Sequence, residues 1–267
     1  MKKQLMKICA VALCALPCAA RAQESAEKKN DVNFSVGVDM VSSYVWRGAY
    51  QAGVSAQPSV GVELAGFSLS SWGSVDVDAG FKEVDFTLSY SIAGLDAAVT
   101  DYWWGGEGAY GYFSRGNSYD PADPDKKVSD HLFEATLAYT LPIEKLPLKL
   151  SWSTFFAGND FKYDAAGKVS RAFSTYIEAS YPFTVKDVAL DVALGVRPWE
   201  SPAYQPASTL ESPAAPSYYS ADFAVVNISL KATKELKITD SFTLPVFGRL
   251  IFNPNTEDVF LVCGITF

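Results

Sequence analysis

Eleven charged side chains in this sequence stand at alternating positions among apolar neighbours. They are Asp39, Glu63, Asp76, Asp85, Glu134, Glu178 and Asp191, against Arg47, Lys149, Lys231 and Arg249. Gathered around one enclosed axis, such groups would do electrostatic work. Like charges in a narrow low-dielectric passage focus the field, and the excess of carboxylates favours cations. The alternative is that acids and bases pair in an internal network that closes the axis. Acid–base catalysis has less to build on. The one histidine is His131, followed by Leu132-Phe133, and a hydrolase needs its base within reach of a nucleophile such as Ser129 or a serine on a neighbouring strand. A rim histidine with no catalytic role is the favoured reading, so no catalytic residue is expected. The cluster Asp120-Pro121-Ala122-Asp123-Pro124-Asp125 offers oxygen ligands but lacks the glycine spacing of a calcium loop. It reads as a solvated loop, and neither metal nor cofactor is expected.

The elements that must position these charges are strands, because the apolar period is two. Val84, Phe86, Leu88, Tyr90 and Ile92 alternate with Asp85, Thr87, Ser89 and Ser91. Val188, Leu190, Val192, Leu194 and Val196 are as regular, as are the runs from Phe173 to Tyr181 and from Ala224 to Leu230. Further strands start near Phe34, Ala56, Phe67, Leu95, His131, Leu148, Phe242 and Val259, which makes twelve. The strand from Leu95 is the awkward one, since its parity puts Asp101 among the apolar residues unless a bulge intervenes.

The connections sort by length. Every second one is tight, as at Ala65-Gly66, Ala93-Gly94 and Glu235-Leu236, while most of the others are longer and polar, notably 105–129 and 199–222. That alternation predicts an all-β fold, a transmembrane antiparallel up-and-down β-barrel with short turns at one rim and loops at the other. A tilted strand of about ten residues matches the hydrocarbon thickness. Closure leaves no backbone group unsatisfied in lipid. Apolar alternates would then face lipid and charged ones the lumen. Aromatic girdles are expected at the two interfaces from Tyr44, Trp46, Tyr90, Trp103, Tyr139, Tyr181, Phe252 and Phe267. Phe247, Ile251, Phe260 and Val262 have inward parity and suggest a narrowed lumen. The role of loop 199–222, rich in Pro, Ser and Ala, stays open: a mobile surface segment, a lumen constriction or a binding surface.

The opening residues pair three lysines with an apolar run from Ile8 to Ala20 and a small-x-small site at Ala20-Arg21-Ala22. This predicts a secretory signal peptide over 1–22, a short periplasmic segment over 23–31 and the barrel over 32–267. Losing the signal removes three of the four cysteines, leaving Cys263 with no intramolecular partner. It also removes four of the 22 basic residues and none of the 30 acids, taking the net charge from −8 to about −12. Nucleic acid is excluded as a partner on that charge.

The run Ser42-Ser43-Tyr44-Val45-Trp46-Arg47-Gly48 with Gln51, then Pro58, Val60 and Gly61, then Phe67 to Ser74, resembles the start of TorF-family porins. The resemblance covers the first third of the exported chain and differs in the spacing from Gln51 to Pro58. It implies an outer-membrane β-barrel with a pore function. The terminal alternation ending at Phe267 resembles the signal read by the barrel-assembly machinery. The expected location is therefore the cell outer membrane, among its lipid and lipopolysaccharide. The expected role is passive diffusion of small polar solutes or ions with a modest cation preference. A closed barrel acting through its loops, and a lipid hydrolase using His131, are the alternatives.

Overall fold

The computed structural model describes residues 32–77, 80, 82–105, 111–113, 119–120, 123–127, 129–144, 146–163, 166, 168–204 and 223–267. The expected signal peptide (1–22), the segment 23–31 and parts of the loops 105–129 and 199–222 lie outside the described residues. In chain order the first strands are β1 (Asn33–Val41), β2 (Tyr44–Trp46), β3 (Ala49–Ala52), β4 (Ser55–Leu64), β5 (Phe67–Asp76) and β6 (Lys82–Ile92). Then come β7 (Leu95–Gly105), β8 (Tyr119–Asp120), β9 (Asp123–Lys127), β10 (His131–Thr140), β11 (Lys149–Gly158) and β12 (Phe161–Tyr163). The last are β13 (Val169–Arg171), β14 (Thr175–Val185), β15 (Val188–Arg197), β16 (Ala224–Lys237), β17 (Thr243–Asn253) and β18 (Asp258–Thr266).

Twelve of these close an antiparallel barrel in the order β1, β18, β17, β16, β15, β14, β11, β10, β7, β6, β5, β4. The other six pair into three small hairpins, β2–β3, β8–β9 and β12–β13. All twelve expected strands are present. The run from Phe173 begins two residues late, because Phe173 takes a positive φ of 50° and breaks the extended chain.

Tight turns gather at the near end, where β1 starts and β18 finishes. Ala65-Gly66 and Ala93-Gly94 both carry paired positive φ values, the twist that lets a two-residue turn join right-twisted strands. The seam is closed by Asp39, Met40 and Val41 opposite Thr266, Ile265 and Gly264. Phe267 extends it, its amide donating to Val38 O at 2.9 Å and its carbonyl accepting from Val38 N at 3.2 Å. Removing Phe267 leaves Val38 unpaired at the seam, a costly loss where water is excluded. The expected result is a smaller heat-modifiable folded fraction on gel electrophoresis than for the full chain, and an unchanged fraction would count against the seam.

The outer face is apolar. Phe34 and Val36 are 82% and 79% exposed, and Leu69, Leu88, Val99, Leu137, Leu150, Val192, Leu194, Leu230 and Leu261 continue the band around the wall. A band of this extent is foreign to a water-facing surface. On the inner face the alternates are buried and polar: Asp39, Ser55, Gln57, Ser70, Ser74, Glu83, Asp85, Thr100, Glu134, Ser153, Asn227 and Ser229.

The strand β7 keeps a continuous register on both sides, without a bulge. Its parity therefore does put Asp101 outside and Asp96 inside. Asp101 is satisfied locally: Tyr112 Oη donates to it at 2.5 Å and His131 Nδ1 lies 2.8 Å away.

Candidate functional site

The far half of the lumen is occupied by the chain itself. β1 ends at Val41, where Ser42 N donates to Cys263 O and Ser42 Oγ accepts from Cys263 N, both at 2.9 Å. Residues 44–52 then fold inward as the hairpin β2–β3, with Arg47-Gly48 as its turn. The expectation that Tyr44 and Trp46 continue β1 as lipid-facing girdle residues is corrected here. The alternation in Tyr44-Val45-Trp46 serves two faces of a hairpin that is buried on both. Tyr44 and Trp46 pack with Ala52, Trp72, Tyr102, Leu132, Phe155, Tyr176 and Val226. Val45 packs the other way, with Val41, Ile251 and Val262, against which Phe247 and Phe260 also lie. Tyr44 and Trp72 rings sit 5.5 Å apart, and Trp46 lies 5.5 Å from Tyr102.

Trp103 has outward parity but is covered, with its ring 6.1 Å from Tyr112, so it too departs from an exposed girdle. The remaining girdle positions lie on the outer face. Tyr90 packs on Phe67 at 4.5 Å and Tyr181 on Phe183 at 5.7 Å near one rim, where Tyr139 and Phe267 are also exposed. Phe252 is exposed toward the other.

Arg47 enters the lumen from the tip of this hairpin, at φ 51°, and not from a wall strand. Its Nη1 donates to Glu134 Oε2 at 2.5 Å, and Nη2 donates to Glu134 Oε1 at 3.0 Å and Ser153 Oγ at 3.2 Å. The fork geometry makes this a charge-assisted, bidentate pair. The guanidinium also lies 4.7 Å from the ring centres of both Trp46 and Tyr176, a cation–π sandwich. Tyr102 Oη and Thr136 Oγ1 donate to Glu134 Oε1 at 3.2 and 3.1 Å. Glu134 is 1% exposed and Arg47 11%, so the wall carboxylate needs this partner.

Two further contacts seat the hairpin. Asn253 Nδ2 donates to Gly48 O at 2.9 Å, and Gly53 N donates to Asp76 Oδ2 at 2.8 Å. Gly48 has φ 81°, and a Cβ there would run into the Val226 carbonyl, so glycine is required on both counts.

The other lumen charges are arranged around this plug. Glu178 accepts from Tyr176 Oη at 2.5 Å and Asn227 Nδ2 at 3.2 Å. Tyr176 fits because Gly195, which pairs with Glu178 across the sheet, has no Cβ to meet the Tyr176 hydroxyl. Lys149 donates to Asp96 at 3.3 Å. Asp191 stands opposite Lys231, which lies over the Phe247 ring at 4.3 Å, and Arg249 donates to Ser229 at 3.1 Å. Asp39 and Asp85 are buried on the inner face, and Glu63 has inward parity but is exposed at the near rim. The near half of the lumen is thus partly accessible, lined by Asp191, Lys231, Arg249 and small residues such as Ser151 and Ser180. Sequence reasoning missed Glu83, Asp96 and Arg197, all of inward parity. Glu83 precedes the position where the strand was expected to start, and Arg197 sits at a strand end before Pro198.

His131 is fully engaged outside the wall. Nδ1 faces Asp101 and Nε2 faces Tyr112 O, each at 2.8 Å, while Ser129 Oγ accepts from the His131 backbone amide at 3.0 Å. Neither ring nitrogen is directed at a serine hydroxyl. Beyond the far rim, Asp160 receives Ser174 N at 2.9 Å and Ser174 Oγ at 2.6 Å, tying the 159–174 connection down. Burial pushes its carboxyl above the ordinary range, against the pull of the Ser174 hydrogen bonds. The side chains of the 120–125 acid cluster lie outside the described residues. No group of three or more His, Cys, Asp or Glu side chains suited to a metal occurs among the described residues.

No family model matches this chain, and no curated protein matches it. The likeness to the TorF family therefore remains one of short sequence runs. Among solved structures, the chain is similar to a KdgM porin at 10% identity and TM-score 0.42, over 89% of this chain and 98% of that one. It is also similar to Salmonella typhi OmpF in complex with daunomycin, at 10% identity and TM-score 0.32, over 89% and 97%.

Proposed function

We propose that this protein resides in the outer membrane of a double-membraned bacterium and passes small polar solutes or ions. The observation that carries this reading is the inversion of the usual solubility pattern: a closed wall, apolar outside and charged within. In this orientation the near end faces the periplasm and the loops face outward, among lipopolysaccharide. The terminal strand and Phe267 would be what the assembly machinery engages. The inserted hairpin is the constriction, and the accessible near half is the vestibule.

Cation preference follows from the lumen carboxylates. Arg47 and Lys149 are committed to Glu134 and Asp96, so they add little net positive field. Of the other inward charges, Asp39, Glu63, Glu178 and Asp191 stand on the acidic side, against Arg197, Lys231 and Arg249. Planar-bilayer recordings of the purified chain are expected to give discrete conductance steps, with a reversal potential on the cation side of zero under a potassium chloride gradient. Asp191→Asn and Glu178→Gln together should move that potential toward the anion side. An unmoved potential would detach selectivity from these residues.

A second reading has its own support, because the hairpin fills the far half of the lumen. On that reading the barrel is closed and serves recognition through its outer loops. It predicts no conductance from the native chain under any voltage, with unimpaired surface binding.

A further inference from the structure

Glu83 and Asp85 stand two residues apart on the inward side of β6, and Ser74 of β5 is the direct cross-strand neighbour of Glu83. Glu83 is 1% exposed and Ser74 is fully buried. Asp85 Oδ1 and Ser74 Oγ make no hydrogen bond, and neither Glu83 carboxylate oxygen has a partner at full hydrogen-bond geometry, although Tyr44, Trp104 and Asp85 lie close enough to interact with it. Among the described residues no lysine or arginine forms an ion pair with either carboxylate. Tyr44 and Trp104 are the polar neighbours of Glu83, at the root of the inserted hairpin. Trp72, opposite Asp85, packs against Tyr44 with its ring tilted 59°. Two buried carboxylates with no ion-pair partner among the described residues hold either protons or a cation, since burying an isolated charge is strongly unfavourable.

We infer that Ser74, Glu83 and Asp85 form a binding site for a hard, oxygen-seeking divalent cation of the calcium class, seated beneath Tyr44 and Trp104. Two carboxylates balance its charge, and the donor set is all oxygen, as such ions require. Ser74 Oγ is independent of the acidic pair: a wholly buried hydroxyl without a partner, on the same face and in register with Glu83. The cation ties β5 and β6 to the hairpin root, so its occupancy favours the seated hairpin. This inference rests on the membrane-barrel reading only for where the ion sits, because binding is measured without any conductance.

The probe is terbium, excited through the neighbouring tryptophans, titrated into the refolded full chain in detergent micelles. Saturable luminescence displaced by calcium is expected. Glu83→Gln and Asp85→Asn should each weaken it by at least an order of magnitude, while Glu63→Gln, at the opposite rim, should not. Both variants keep side-chain shape, and their folding is checked by heat-modifiability. Calcium should raise the melting temperature of the native chain and leave that of Glu83→Gln unmoved. Luminescence that survives both substitutions, or a native chain that binds neither ion, overturns the site. The latter result would mean that protons alone neutralise the pair. A channel that conducts but does not bind refutes this site alone, and one that binds without conducting refutes transport alone.

Discussion

Replacing residues 42–54 with an Asn-Gly turn between Val41 and Ser55 is expected to raise unitary conductance several-fold and abolish closures. Val41 and Ser55 are directly paired, so a two-residue turn joins them without straining the wall. What the deletion removes is the plug: Tyr44, Trp46, Arg47 and the two apolar seams that hold them. A gentler version tests the latch. Glu134→Gln keeps the shape and removes the charge that Arg47 grips. Taking one partner from a buried pair costs about 3–5 kcal/mol, and the partial exposure of Arg47 places it at the low end. About 3 kcal/mol is roughly a hundredfold in a closed-to-open ratio. The variant should therefore dwell open far longer than the native channel at the same unitary conductance. If the deletion leaves conductance unchanged, the hairpin is not the constriction.

The second large effect concerns the outer face. Val192 lies mid-way along β15, on the band with Leu190 and Leu194. Val192→Lys puts an ammonium at the middle of the hydrocarbon and should cost about 2–4 kcal/mol. Val188→Lys, at the near rim of the same strand, should cost about 0–1 kcal/mol because the head reaches water. Guanidinium unfolding in liposomes measures both. Equal costs at the two depths would mean that this face does not meet lipid.

Much of this architecture can be read from alternation alone. In β6 and β15 every second residue is apolar over ten positions or so, and a barrel wall requires that pattern of each strand. The inserted hairpin was illegible for a physical reason. Tyr44-Val45-Trp46 continues an alternating run after only two serines, and three residues buried on both faces look like three more residues of a wall. Only the pairing with β3 reveals the difference. The partner of Arg47 was similarly hidden: Glu134 is 87 positions away, and a contact made by insertion has no local signature. Asp101 is the reverse case. Alternation alone leaves it either outward or displaced by a bulge; β7 has no bulge, and the sense of an outward aspartate depends on Tyr112 and His131 arriving from elsewhere in the chain.

The most direct test of the inside-out wall is cysteine labelling along β15 in proteoliposomes, with Cys263→Ser removing the exposed native thiol. Cysteines at 189 and 191 should react with a charged, water-borne thiol reagent, and those at 190, 192 and 194 only with a lipid-soluble one. Uniform reaction with the charged reagent along the strand would contradict the account at its base.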